Sequence, residues 1–527
     1  MTRTREHEEL LLHGGTVHTL DDDRTTAGAV LFRDGLVEAV GDAADCRAVA
    51  TDPETIDLDG RVVLPGFVDA HTHVFSVGIQ RIETDLSTAV DREEALERLS
   101  ANAEDTDPGE WVLGFGYDES TWPEGDREYL TREELDAVSE SHPVVAYRVD
   151  GHTAGLNTAA LERVSFDGVE DDVVVAGDRR TGRVVEEAVG RVRVAAHPDA
   201  AKLRRALAAA AERYHELGVT SVQTMAGLTS VRDHGNVRHE ALHAARRAGE
   251  LDLRVTYYAH ASQAGSLSDL ELSSAFGDDR LRVGGLKTFS DGSLGARTAK
   301  LHGEYADEPG EDGLMVNDGD RLESLFREAA RADQQIATHA IGGAAIDEVL
   351  DRYDAVREEY DDGVEPRLRI EHAELATDEA IERMADAGVV ASVQPNFLKW
   401  SRPAGLYEAR LGVDALAANN RYAEMLDAGV SVAFGSDKMP PGPLFGIHQA
   451  VTADHDAQRP TVDEALAAYT RGAAHAEFAE DEKGRLVPGL FGDAVVLDRD
   501  PYDGPDAIAD CRVEATVLGG EVVYEAE

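Results

Sequence analysis

Cysteine is nearly absent from this chain. Cys46 and Cys511 are the only two in 527 residues, and neither lies in a Cys-x-x-Cys. A disulfide scaffold is thereby excluded, and nothing in the sequence supports a bridge between the pair. Basic residues are also scarce: 51 Lys and Arg stand against 103 Asp and Glu, a net charge of −52. That balance excludes nucleic acid and anionic membranes as partners. No apolar run is long enough to span a bilayer, and the opening segment Met1-Thr2-Arg3-Thr4-Arg5-Glu6-His7 has no apolar signal core. A soluble, cytoplasmic protein is expected. Low-complexity tracts are missing too. The acid is dispersed, as in Glu104-Asp105, Glu133-Glu134, Glu358-Glu359 and Asp361-Asp362, rather than gathered in a tail. Such a surface stays soluble by self-repulsion and needs salt to screen it, so a halophilic protein is expected.

What is present is globular. Hydrophobic residues make up 42%, and the length allows a large core with an appended domain. Both ends read as short strands with Gly turns: Leu10–Val17 and Ala29–Gly41 at the start, Asp493–Asp498 and Ala515–Tyr524 at the finish. They predict one small β-sandwich domain built from residues 1–62 and 480–527. Between them, β-branched runs alternate with amphipathic helical patterns such as Leu203 to Leu217 and Leu322 to Ala332. Eight such runs occur, from Val62–Ala70 to Ser431–Asp437. Repeated βα units in that number predict an α/β fold, a (β/α)8 TIM barrel over 63–479. One gap is too long for a βα loop. Residues 80–205 carry their own strands, Trp111–Asp118 and Pro143–His152, and are expected to form an inserted subdomain that covers the barrel mouth.

The first barrel run ends in His71-Thr72-His73. On a strand, residues i and i+2 share a face, so both imidazoles can reach one metal ion. Alone, the pair reads equally as two satisfied histidines at a strand end. It is not alone. Run four ends in Lys287, run five in His339, run six in His372 and run eight in Asp437. Each is expected at the C-terminal face, where barrel chemistry is built. Neutral imidazoles bind divalent zinc, iron or nickel. A metal lowers the pKa of a water it carries toward ~7, and Asp437 could take that proton as general base and return it as general acid. Lys287 could be a snorkelling barrel lysine. Desolvated beside cations, it could instead carry a depressed pKa and add carbon dioxide, giving a carbamate ligand.

The chain resembles the amidohydrolase superfamily, in its amidohydrolase-3 branch of YtcJ-like and N-substituted-formamide-deformylase-like metal-dependent hydrolases. The markers are Pro65-Gly66-Phe67-Val68-Asp69-Ala70-His71-Thr72-His73, Arg148-Val149-Asp150-Gly151-His152, Lys287-Thr288-Phe289-Ser290-Asp291-Gly292-Ser293-Leu294-Gly295-Ala296-Arg297-Thr298, His339-Ala340-Ile341-Gly342, Ile370-Glu371-His372-Ala373 and Gly435-Ser436-Asp437. The resemblance implies His71 and His73 on one metal, His339 and His372 on a second, an N6-carboxylysine at Lys287 as bridge, and Asp437 as ligand and base. It implies zinc, one or two ions, and hydrolysis of a non-peptide carbon–nitrogen bond in a small molecule. Ester or lactone hydrolysis would use the same machinery, and a non-catalytic scaffold is the alternative outside enzymes. Gly343 and Lys438-Met439-Pro440 depart from the residues that branch members often carry there, without removing a ligand.

Further candidates are open between roles. His152 could contact substrate or order the insert through Asp150. Arg297 and Asp291 could contact substrate or only shape a loop over the site. Asp118 and Trp122 read as core more readily than as pocket. Gly284-Gly285 and Gly342-Gly343 lack phosphate-loop spacing. The oligomeric state stays open, a homodimer included.

Overall fold

The computed structural model describes residues 9–149, 152–226, 237–360 and 366–527. Its chain divides into two compact units, one of 1–74 with 211–527 and one of 75–210. Asp150 and Gly151 lie outside the described residues.

The first unit contains the expected barrel. Its strands are β1 (Phe67–Thr72), β2 (Val219–Thr224), β3 (Arg254–His260), β4 (Leu281–Phe289), β5 (Ile336–Ala340), β6 (Arg369–His372), β7 (Val390–Val393) and β8 (Ser431–Phe434). All pair in parallel in sequence order. They are buried almost throughout, as parallel strands covered on both faces must be. Past the end of β8, two backbone groups reach back to β1. The Asp437 N–H donates to the His71 carbonyl at 2.7 Å, and the Ser436 N–H donates to Asp69 Oδ1 at 2.9 Å.

The outer helices follow from the apolar periodicity. Gly319–Arg331 buries Leu322, Leu325, Phe326, Ala329 and Ala330 on one side. The Asp318 side chain caps it, accepting from the Arg321 N–H at 2.9 Å.

Beside the barrel lies an eight-stranded sheet drawn from both ends of the chain. Six of its strands in hydrogen-bonded order are Val513–Leu518, Ala494–Leu497, Val62–Pro65, Glu9–His18, Thr26–Arg33 and Leu36–Gly41. Alternation decides its faces: Leu10, Leu12, Val30 and Phe32 join one core, while Leu11, Ala29 and Leu31 pack with Cys46. Cys46 and Cys511 are both free thiols. Val62–Pro65 runs into β1 through Gly66, where a Cβ would sit 2.4 Å from Thr220 Oγ1. Only glycine lets the sheet and the barrel approach this closely.

The second unit is built on a six-stranded sheet in which Val112–Tyr117 pairs in parallel with Val144–Arg148. Helix Arg92–Asp105 is capped by Asp91, and Arg132–Val138 by a Thr131–Glu134 capping box. Trp122 is buried here, its indole N–H donating to the Ala89 carbonyl at 2.9 Å, and Asp118 accepts from the Ser120 N–H. Among the described residues no helix is long and apolar enough to cross a membrane.

Candidate active site

The C-terminal ends of the barrel strands deliver the expected polar groups to one cavity of about 420 Å³. Its lining includes His71, His73, Lys287, His339, His372 and Asp437. Their positions along the chain differ slightly from expectation. Lys287 lies two residues inside the end of β4, and Asp437 three residues beyond the end of β8. Two of the six carry a positive φ, Asp437 at 45° and His372 at 76°. Side chains rarely occupy that left-handed region, and each such residue costs about 1–3 kcal/mol. Strain at both positions fits residues held for chemistry.

His73 Nε2 lies 3.0 Å and His71 Nε2 4.0 Å from Asp437 Oδ1. One donor atom from each of the three falls within 4.8 Å of the others, a grouping able to hold a metal ion. The rings of His372 and His71 are 5.0 Å apart between centroids, those of His339 and His372 4.5 Å.

For His71, His372 and His339 the remaining ring nitrogen tests whether the set suits a cation. His71 Nδ1 donates to Glu371 Oε2 at 2.5 Å, His372 Nδ1 to Gln394 Oε1 at 2.6 Å, and His339 Nε2 to the Gly292 carbonyl at 2.8 Å. A protein acceptor thus fixes one nitrogen as N–H, leaving the other a lone pair. That is the arrangement ligating histidines need. Burial also favours the neutral form of three of the rings. It pushes His339 down to about 3, with the Lys287 charge adding to the effect, and it lowers His372 well below the ordinary histidine range. His73 is lowered too, by burial, against the opposing pull of Asp437.

Lys287 is 1% exposed, and among the described residues its Nζ has no hydrogen-bond partner. Burial pushes its ammonium down to about 8, against the attraction of Glu371 and Asp437. An unpaired amine at the centre of an imidazole and carboxylate cluster fits a site that takes more than protein atoms. For Asp437, burial opposes ionisation, but the hydrogen bond to His73 and the favourable electrostatics of the neighbouring imidazoles and Lys287 outweigh it and hold the carboxyl below its usual range. The donor set therefore fits a divalent cation: neutral imidazoles, an ionised carboxylate and an unpaired amine.

Beneath these groups is a feature with no assigned role in the sequence reading. Arg369 and Glu371, two residues apart on β6, point into the barrel and are fully buried. Barrel interiors are usually filled with branched apolar residues. Here Arg369 Nε donates to Glu371 Oε1 at 2.9 Å, while the two terminal nitrogens donate to Gln223 and Tyr258, and to Ser392 and the Ala70 carbonyl. Burial opposes the Glu371 charge, yet the guanidinium overrides it and holds that carboxyl well below the usual range. The signal was legible as opposite charges on the inward face of one short strand.

The other candidates fall elsewhere. Asp291 is buried and accepts from the backbone N–H groups of Lys300, Ile341 and Gly342 at 2.8–3.0 Å. Burial pushes it up to about 6 against those hydrogen bonds. It ties the loop after β4 to the end of β5, and so fixes the loop whose Gly292 carbonyl holds His339. Arg297 is committed to Asp307, at 2.9 and 3.0 Å, and to Glu308. Neither lines the cavity. His152 belongs to the second unit, where its exposed ring lies 3.0 Å from the Glu186 carboxylate.

The rest of the cavity wall is mostly apolar: Phe289, Leu294, Ile341, Phe397, Trp400, Leu406 and Tyr407 among others. Glu374 also faces it, with burial pushing its carboxyl up to about 7.

Comparison with known proteins agrees with this geometry. Across 97% of its length the chain is 29% identical to the YtcJ protein of Bacillus subtilis, covering 99% of that protein. It is also 29% identical to N-substituted formamide deformylase of Arthrobacter pascens, over 100% of this chain and 99% of the other. The crystal structure of a metal-dependent hydrolase from Pyrococcus furiosus superposes with a TM-score of 0.79 at 29% identity, over 94% of this chain and 99% of that one. The family model described as the amidohydrolase family matches residues 54–524, so with its barrel and its strand-end histidines the chain belongs to the amidohydrolases, a family of metal-dependent hydrolases.

Proposed function

We propose that the protein hydrolyses a non-peptide carbon–nitrogen bond of an amide-type small molecule. The observation that carries this reading is the convergence of His71, His73 and Asp437 donor atoms within 4.8 Å, in a cavity that also holds the unpartnered amine of Lys287. Full-length similarity to a formamide deformylase supports carbon–nitrogen over carbon–oxygen cleavage.

In this reading His71, His73 and Asp437 hold one divalent ion, zinc by preference. His339 and His372 would hold a second where two ions bind, and a carboxylated Lys287 would be an anionic ligand shared by both. The cation, when bound, supplies Lewis acidity toward water and toward a substrate carbonyl. The chain's own groups do the rest. Asp437, ionised at neutral pH, accepts the proton of the attacking water and then delivers it to the leaving nitrogen. Glu371 and Gln394 keep His71 and His372 in the tautomers that ligation needs. The aromatic and aliphatic wall binds the apolar part of the substrate and excludes bulk water.

Matched formamides, larger amides and esters should be assayed with metal-loaded wild type and Asp437→Asn, with metal content and intact mass measured alongside. Amide turnover should fall by about 10²–10⁴ in the variant. Turnover of esters with no measurable turnover of the matched amides would select the ester reading. A wild-type protein that binds no metal and turns over neither would sink the proposal.

A further inference from the structure

Glu374 is out of place in the cavity wall. It is 3% exposed, and among the described residues its carboxyl takes a single hydrogen bond, from the Tyr407 hydroxyl. Among the described residues no lysine, arginine or histidine pairs with it, and the nearby charges it feels, Asp291 and Asp437, are also negative. Around it the wall is aromatic: the rings of Phe397 and Trp400 are 4.8 Å apart between centroids, those of Trp400 and Tyr407 6.4 Å. Lys399 lies 4.4 Å from the Trp400 ring, but its ammonium donates to the Met439 carbonyl.

A buried carboxyl with no cationic partner costs a fold stability. The same arrangement is a receptor. A cationic nitrogen brought beside it draws it into its ionised form and is hydrogen-bonded by it, and aromatic faces beside it add attraction of the same sign. Other polar wall groups are already engaged: the Ser293 hydroxyl accepts from the Ala296 N–H, and the Tyr407 hydroxyl is turned onto Glu374 itself.

We infer that Glu374 is a specificity-determining residue, and that the substrate carries a cationic nitrogen group on a compact apolar body, docked on this carboxylate. The inference rests on reading the cavity as the substrate site of a hydrolase. Glu374 binds; it takes no part in the proton transfer assigned to Asp437.

Binding, rather than turnover, tests it. The probes are 2-phenylethylguanidinium and 2-phenylethylurea, nearly identical in shape and differing in charge. Calorimetry on the full-length metal-loaded protein should show the guanidinium binding about tenfold tighter or more. Glu374→Gln, which can still accept from Tyr407, should erase that preference and leave urea binding within about twofold, while Tyr407→Phe should preserve it. Equal binding of the two probes by wild type, which needs no variant, would overturn the inference, as would a preference that survives Glu374→Gln. A preserved preference with no turnover of any amide or ester would instead sink the hydrolase reading.

Discussion

Glu371 holds His71 from below: its Oε2 accepts from His71 Nδ1 at 2.5 Å while its Oε1 accepts from the buried Arg369 guanidinium at 2.9 Å. One carboxylate thus neutralises a buried cation and fixes a ring at the cavity floor. Removing its charge should do two separable things. Glu371→Gln leaves Arg369 without its counter-ion, a loss of about 3–5 kcal/mol of stability. It also weakens the tether on His71, which should lower metal affinity about 10–100-fold. Ser392→Ala is the control, since it removes one contact to Arg369 and leaves the tether intact. Urea unfolding should register both variants, and a chelator competition only the first. Unchanged metal affinity in Glu371→Gln would show that the tether is structural alone.

Gly435 tests the other side of the same ring. A Cβ there would lie 2.4 Å from the His71 backbone nitrogen and 2.8 Å from its Cβ. These are backbone and first-carbon atoms, so they cannot swing aside. Gly435→Ala should push β1 away from the end of β8 and disturb the Asp437 to His71 hydrogen bond between them. The expected loss is about 1–3 kcal/mol of stability, with metal affinity falling as His71 and Asp437 separate. A variant with wild-type melting and metal uptake would mean that the barrel yields here without strain.

Neither contact can be read from the sequence, although the barrel that makes both of them can. The barrel was readable because each strand is a short apolar run bounded by turns, and the strand-end polar groups stand out against such runs. His71, His73, Lys287, His339, His372 and Asp437 therefore appear before any coordinates do. Glu371 and Arg369 sit inside one of those runs, and their pairing with residues about 300 positions away depends on barrel closure. Glu374 was invisible for a related reason. Its isolation from cations is a property of the folded cavity, and Tyr407, its partner, comes from a distant segment. Arg297 stays open in the sequence between contacting substrate and shaping a loop, and its pairing with Asp307 and Glu308 fits the loop role.

Acid sensitivity should trace in part to His215. Its ring is 4% exposed, with Nε2 unpartnered, and burial pushes it down from 6.5 to about 4. The unfolded chain takes this proton below about 6.5, while the folded chain refuses it until about 4. Stability is then full above the unfolded value and is lost as pH falls through that window, by an amount on the order of 3 kcal/mol. His215→Asn removes the titration. Urea unfolding at pH 7.5 and at pH 4.5 should show wild type losing more on acidification than the variant. Equal losses would mean that other groups carry the acid response.

Salt should stabilise the fold. With 103 acidic and 51 basic residues, ion pairing can satisfy at most about half of the carboxylates. The remainder repel one another across the surface, and repulsion favours the expanded chain. Raising salt from about 0.1 M to about 1 M shortens the screening length from ~10 Å to ~3 Å, less than the spacing of most surface charges. Thermal unfolding should therefore move steadily upward with potassium chloride across that range. Sulfate acts differently, by exclusion from the surface. If sulfate stabilised the protein while chloride left it unchanged, screening would not be the cause. Full stability in dilute buffer would remove the halophilic reading altogether, and the acidic excess would then have to be explained by solubility alone.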